Sequence, residues 1–150
     1  MVKHGNNYDV SKNLRDSFPY PYSAADAEGW VKFTNQQNPP RNLAIATDEE
    51  VIGGIGLRLH DDVHRCTAEV GYWLGEEYWG RGIATEALRV FTDYCFSTFA
   101  LTRIYAGVFE RNLASMRVLE KAGYHAEAIL QQAVIKGDHV MDEHYYVMLR

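Results

Sequence analysis

Apolar residues recur along this chain in two rhythms, and each rhythm names an element. Within residues 83–99, Ala84, Ala87, Leu88, Phe91 and Cys95 fall three and four apart, which predicts an amphipathic helix. A second helix is predicted after Ser23, a residue type that caps helix starts. There Ala24, Ala27, Trp30, Val31 and Phe33 follow at roughly helical spacing until Asn38-Pro39-Pro40 stops the run. The segment before it, Phe18-Pro19-Tyr20-Pro21-Tyr22, reads as extended, because each proline disfavours helix in the residue ahead of it. Residues 43–47 and 51–58 read as a β-hairpin around the acidic turn Asp48-Glu49-Glu50, and residues 67–74 as a third strand. Residues 102–109 follow the long helix as another strand, so a parallel pair joined by a helical crossover is expected. Asn112 is placed to cap a short helix that runs to Ala122, with Gly123 supplying the left-handed position beyond its end. Residues 124–134 and 141–149 complete the pattern as two strands around Lys136-Gly137-Asp138.

A chain of 150 residues is long enough for one sizeable core and short for two, so a single domain over 1–150 is expected. The net charge of −5, without clustered Lys and Arg, argues against nucleic acid as a partner. No apolar run approaches the roughly 18 residues a membrane helix needs, and residues 1–9 are polar rather than signal-like. The cytoplasm is therefore the expected compartment. Cys66 and Cys95 show neither metal-site spacing nor disulfide density, and both are expected to be reduced and buried. His60-Asp61-Asp62-Val63-His64 gathers metal-ligand types, but a polar loop between strands yields the same residues, and no metal site is expected.

The chemistry concentrates between strand and helix, in Tyr72-Trp73-Leu74-Gly75-Glu76-Glu77-Tyr78-Trp79-Gly80-Arg81-Gly82-Ile83-Ala84-Thr85-Glu86. Glycines at 80 and 82 let backbone N–H groups turn inward, and the helix starting near Ile83 adds the positive end of its dipole, which together suit a pyrophosphate. A tight strand-to-helix connection needing glycine for geometry alone is the competing reading. A dinucleotide fingerprint wants a third glycine where Thr85 stands, and no Gly-Lys-Ser or Gly-Lys-Thr closes a Walker-type loop.

The run Glu69-Val70-Gly71-Tyr72-Trp73-Leu74, then Tyr78-Trp79-Gly80-Arg81-Gly82-Ile83-Ala84-Thr85-Glu86-Ala87, resembles the acetyl-CoA site of the GNAT acetyltransferases. A second matching block follows, Asn112-Leu113-Ala114-Ser115-Met116-Arg117-Val118-Leu119-Glu120-Lys121-Ala122-Gly123-Tyr124. The branch that contains the ribosomal-protein N-terminal acetylases is the most similar, and similarity extends through Asn13-Leu14-Arg15-Asp16 and Val51-Ile52-Gly53-Gly54-Ile55. The family's loop usually opens with Gln or Arg where Trp79 stands. The resemblance implies an α/β (α+β) GNAT fold with helices flanking a mixed, mostly antiparallel sheet. That sheet splays open between the strand ending at Leu74 and the one ending at Phe109. The family's first strand and the start of its first helix are expected to be missing. The edge of strand 43–47 would then lie unpaired, which favours association as a homodimer.

For function, the resemblance implies transfer of an acetyl group from acetyl-CoA to a primary amine, a protein N-terminus or a small amine, by direct attack in a ternary complex. Backbone groups around Trp73 and Leu74 would hold the pantetheine arm, and Trp79, Gly80, Arg81, Gly82, Ile83, Ala84 and Thr85 the pyrophosphate. Asn112 would steady the arm from the other side while also serving as a helix cap. The tyrosine that many members use to protonate the thiolate is replaced by Leu119, so Ser115, one turn after Asn112, becomes the candidate acid. Ordinary first-turn helix chemistry explains a serine there equally well. Glu69 is the candidate general base, with a strand carboxylate paired to a neighbouring cation as the even alternative. Some members of this branch carry a base on the next strand, where Gln131-Gln132-Ala133-Val134 holds no acid. A non-catalytic acyl-CoA-binding sensor or interaction module on the same fold is the rival from another class.

Overall fold

Six strands form one sheet in the order β1-β2-β3-β4-β6-β5, and the computed structural model describes residues 1–150. The strands are β1 Asn42–Ala46, β2 Val51–Leu59, β3 Thr67–Leu74, β4 Arg103–Phe109, β5 His125–Lys136 and β6 His139–Leu149. Only β3 and β4 run parallel; every other neighbouring pair is antiparallel. The sheet is thus mixed and mostly antiparallel, as the resemblance implied, and β1 forms one of its edges. No helix is long and apolar enough to cross a membrane.

Alternation along the central strands separates two faces. Ala68, Val70 and Leu74 of β3 and Ile104, Ala106 and Val108 of β4 are buried on one face. Helices α4 (Ile83–Thr98) and α5 (Leu113–Ala122) cover it, contributing Leu88, Phe91, Cys95, Met116 and Leu119. Leu88 and Leu119 are fully excluded from solvent, each worth about 1.5–3 kcal/mol of transfer free energy. Leu119, which stands where the resemblance would place a thiolate acid, is therefore a core residue. Cys95 is buried on α4, where burial pushes its thiol up to about 12; Cys66, expected to be buried, instead lies exposed in the connection before β3.

The opposite face is overlaid by the first third of the chain. Two short helices, α1 (Val2–Gly5) and α2 (Tyr8–Ser11), lead into an irregular segment and then α3 (Ala24–Thr34). Ser23 caps α3 in a reciprocal capping box with Asp26, as its position predicts. No residue of α3 is buried, and Val31 and Phe33 are 44% and 57% exposed. The helical spacing found the helix, but its inward stripe of Asp26, Gly29, Trp30 and Phe33 borders a cavity rather than packing in the core. The segment is tied down by the Asn7 amide to Glu76 at 2.7 Å, by His4 Nε2 to Glu50 at 3.0 Å and by the Phe18 ring against Trp73 at 5.4 Å.

Candidate functional site

The parallel pair that should join β3 to β4 is made only at its base, where Thr67, Ala68 and Glu69 lie opposite Arg103, Ile104 and Tyr105. Beyond Glu69 the two strands part, while β2 stays paired to β3 as far as Leu74 and β6 stays paired to β4 as far as Phe109. The wedge is therefore a feature of the sheet's centre, held open by intact ladders on both sides. The Gly75 N–H bonds to the Ile52 carbonyl at 2.7 Å. Antiparallel alternation then points the backbone groups of Val70, Tyr72 and Leu74 away from β2 and into the wedge. The Leu74 carbonyl already accepts the Trp79 indole N–H at 2.7 Å, which fixes that ring across the mouth.

At the open end of the wedge stands the start of α4. Gly80 and Gly82 adopt φ of 73° and 80°, in the left-handed region that favours glycine, and an added Cβ on either would meet nothing within 4 Å. Gly82 is the N-cap and has no side chain to satisfy the first turn. The first intrahelical bond runs from Glu86 N–H to the Gly82 carbonyl at 3.1 Å, so the N–H groups of Ile83, Ala84 and Thr85 have no partner within the helix. Bare amides at a sixteen-residue helix's positive end, in open space beside a wedge, fit a diphosphate on an extended tail.

Wedge and glycine loop open into one cavity of about 1560 Å³, larger than the 300–1,000 Å³ roughly typical of a single small-ligand pocket. Glu69, Trp73, Leu74, Trp79, Gly80, Gly82, Ile83, Ala84, Thr85, Asn112 and Ser115 all border it, as does Tyr78. Arg81 does not: its guanidinium lies over the Tyr78 ring, 5.5 Å from the centroid, so stacking turns it away from the loop's inner side. The loop's anion-binding capacity rests on backbone rather than on that side chain.

Asn112, which borders the cavity, caps α5 through its Oδ1, which accepts the Ser115 N–H at 3.2 Å. Ser115 is half-buried, with Oγ 2.8 Å from the Tyr72 hydroxyl. Burial pushes that tyrosine up to about 12, with the Ser115 contact opposing the effect, so Tyr72 holds its proton at neutral pH. A neutral phenol backing a serine hydroxyl makes a two-member donor chain. Nothing local marks Tyr72 as part of it, because the partner lies 43 residues away.

The two carboxylates on the cavity's opposite side differ sharply. Glu69 is ion-paired on both oxygens: Arg15 from the N-terminal segment engages Oε1, and Arg58 of β2 brings Nη2 to 2.6 Å of Oε2. The Arg58 approach is an ion pair without a directed hydrogen bond, and Oε2 itself is sealed from solvent. Glu143 on β6 is 8% exposed, borders the same cavity and takes no hydrogen bond from a neighbouring side chain. Desolvation raises its pKa from the ordinary glutamate value, Arg15 opposing and Glu69 adding to the rise. No motif marks this acid, yet the sequence carries a signal for it. Met141, Glu143, Tyr145 and Val147 alternate onto one face of β6, and an acid among them is out of place.

Elsewhere, no three His, Cys, Asp or Glu side chains are grouped to hold a metal. His60, from the loop rich in ligand types, is 3.1 Å from the Tyr105 hydroxyl through Nε2.

Residues 4–125 match the family model described as "Acetyltransferase (GNAT) domain". The "Probable N-acetyltransferase YjcK" of Bacillus subtilis (strain 168) is 46% identical over 102 residues, covering 68% of this chain and 56% of that protein. The chain spans little more than half the length of such curated relatives, 57% of another. Among solved structures, a GNAT-family acetyltransferase from Bacillus anthracis superposes with a TM-score of 0.81 at 26% identity, covering 99% of this chain and 86% of that one. Mycobacterium smegmatis RimJ in complex with CoA-disulfide shares the fold at a TM-score of 0.81 and 22% identity, with 99% and 74% covered.

Proposed function

This chain belongs to the GNAT acetyltransferase family, and from that premise we propose that it transfers an acetyl group from acetyl-CoA to a primary amine, either a protein N-terminus or a small amine. The observation that carries the reading is the wedge between β3 and β4 leading to the bare first turn of α4. A continuous sheet would leave no room for a pantetheine arm, and a side-chain cap at Gly82 would compete with a diphosphate.

In this reading the backbone of Val70, Tyr72 and Leu74 lines the pantetheine tail along one edge, and Asn112 holds it from the other. The amides of residues 82–85 take the diphosphate. Acetyl-CoA, when bound, supplies the acyl group as a thioester, a carbon already activated toward amines. The chain's task is then to place a neutral nitrogen against that carbon and to supply a proton to the departing sulfur. Ser115 is the donor, with the Tyr72 hydroxyl behind it to hold its orientation and restore its proton. Glu69 serves as a positioning group: its pairs with Arg15 and Arg58 clamp the N-terminal segment over the sheet and leave it without a free oxygen for a nucleophile.

The acceptor enters from the side walled by the N-terminal segment and α3, where Val10, Phe18, Trp30 and Phe33 are apolar and Asp9, Asp26 and Glu143 are acidic. An amine with an apolar neighbour suits that wall. The test is thiol release: incubation with acetyl-CoA and a panel of small amines and N-terminal peptides should liberate free CoA above background with at least one acceptor. Tight acetyl-CoA binding without release on any of them would favour the sensor instead.

A further inference from the structure

We propose that Glu143 is the group that takes the proton from the acceptor's ammonium, so that the catalytic base of this chain sits on β6 rather than on β3. The inference rests on the acetyl-transfer reading above and adds the residue that reading leaves unnamed.

Geometry supports it first. On the cavity face, β4 presents Gly107 beside Glu143, and a Cβ there would collide with the Glu143 carboxylate. The missing side chain is what lets the carboxylate lie across β4, toward the wedge where β3 and β4 part. Gly71 on the facing edge of β3 likewise leaves open space, with nothing within 4 Å of an added Cβ. Two glycines thus floor the cavity between Glu69 and Glu143.

Chemistry separates the two acids. Glu69 has both oxygens committed to guanidinium groups. Glu143 is 8% exposed, borders the cavity and takes no hydrogen bond from a neighbouring side chain. A carboxylate that meets solvent only through a cavity, with no protein donor on it, is free to bind what enters there. The charged and titratable groups that face it are Arg15 from the N-terminal segment, Glu69 from β3 and Tyr145 from its own strand, with Arg58 acting through Glu69. Arg15 is already shared with Glu69, so the cavity around Glu143 lacks a dedicated cation. An arriving ammonium supplies one.

The proton balance closes. An ammonium carries one proton more than the nucleophile, and Glu143 accepts it and passes it to solvent. The neutral nitrogen then bonds to the acyl carbon as the carbon–sulfur bond breaks. The second proton leaves the nitrogen for Glu143, a carboxylate again after releasing the first, while Ser115 gives its proton to sulfur and regains one from solvent. The products are an amide, a thiol and one proton released for each ammonium consumed.

The test needs no knowledge of the natural acceptor. Protein labelled with carbon-13 at glutamate side-chain carboxyls is titrated by NMR, the Glu143 signal being assigned from Glu143→Gln. It is then titrated with n-butylammonium in the presence of CoA. The Glu143 signal is expected to titrate above the other glutamates and to move with the amine, while the Glu69 signal stays fixed. A Glu143 signal that titrates with the exposed glutamates, or that ignores the amine while Glu69 responds, overturns the proposal. This readout requires no turnover, so it fails separately from the acetyl-transfer reading. With acetyl-CoA and n-butylamine, Glu143→Gln is expected to lower kcat/KM about 10²-fold at neutral pH and to remove the acidic limb of the profile. CoA affinity and melting temperature should confirm that this variant folds. Gly107→Ala, which keeps the carboxylate but displaces it, should produce a smaller loss with the limb retained. A Glu143→Gln protein with wild-type rate and limb would also overturn the assignment.

Discussion

The two faces of the central sheet are built from the same strands and obey different rules. On the face beneath α4 and α5, Ala68, Val70, Ile104, Ala106 and Val108 are all buried, and nearly every neighbour is apolar. On the other, the alternate residues Glu69, Gly71, Trp73 and Gly107 border a cavity, joined by Glu143 from β6, and the core face meets the same cavity at Val70, Ala106 and Val108. A strand's period of two makes the faces independent, so one can be close-packed for stability while its reverse holds glycines, ion pairs and a buried acid. The molecule can give up stability for function only where its faces are not close-packed: the core face tolerates little, and the cavity face has been left unfilled.

Substitutions can break that division. The largest effect is expected on the core face, where Leu88→Ala should cost about 2–5 kcal/mol of stability by denaturant unfolding, with acetyl-CoA affinity of the folded fraction unchanged. A comparable loss of affinity would mean the faces are coupled. Next comes Ser115→Ala, expected to lower kcat about 10²-fold with little change in melting temperature, measured on whichever acceptor supports turnover. Gly82→Val should loosen acetyl-CoA at least about tenfold by titration calorimetry, since a β-branched residue resists a φ of 80° and its branches would stand in the space the proposed function gives to the diphosphate.

The smallest effect concerns pH and stability. Glu143 has its folded pKa raised by burial, so the stability it contributes is present below its unfolded value and lost as pH rises through the folded one. Glu143→Gln should therefore raise the melting temperature by a few degrees at pH 8 and leave it nearly unchanged at pH 4. A destabilised variant at pH 8 would show that the carboxylate has a structural partner after all.

Against this contrast, the limits of sequence reading have a physical cause. The core face was legible because burial imposes periodicity: the spacing of Leu88, Phe91 and Cys95 predicted α4 to within a residue, and the third strand matches β3 at both ends. The glycine loop was legible because left-handed backbone demands glycine at 80 and 82. The cavity face was not, because its chemistry depends on contacts distant in sequence. Glu69 meets Arg15 across 54 residues, Tyr72 meets Ser115 across 43, and the α3 stripe shows the same spacing whether it faces core or cavity. Cys66 was misplaced for a simpler reason: a lone cysteine has no periodic neighbours to say which way it points.

The most direct measurement is a backbone amide NMR titration of the folded protein with CoA. Resonances of Gly82, Ile83, Ala84 and Thr85 should shift together with those of Val70, Tyr72 and Leu74, while the β1 and β5 edges stay still. Saturating CoA that leaves those amides unmoved, or that moves a different surface, would contradict the wedge and the bare helix start as its binding site.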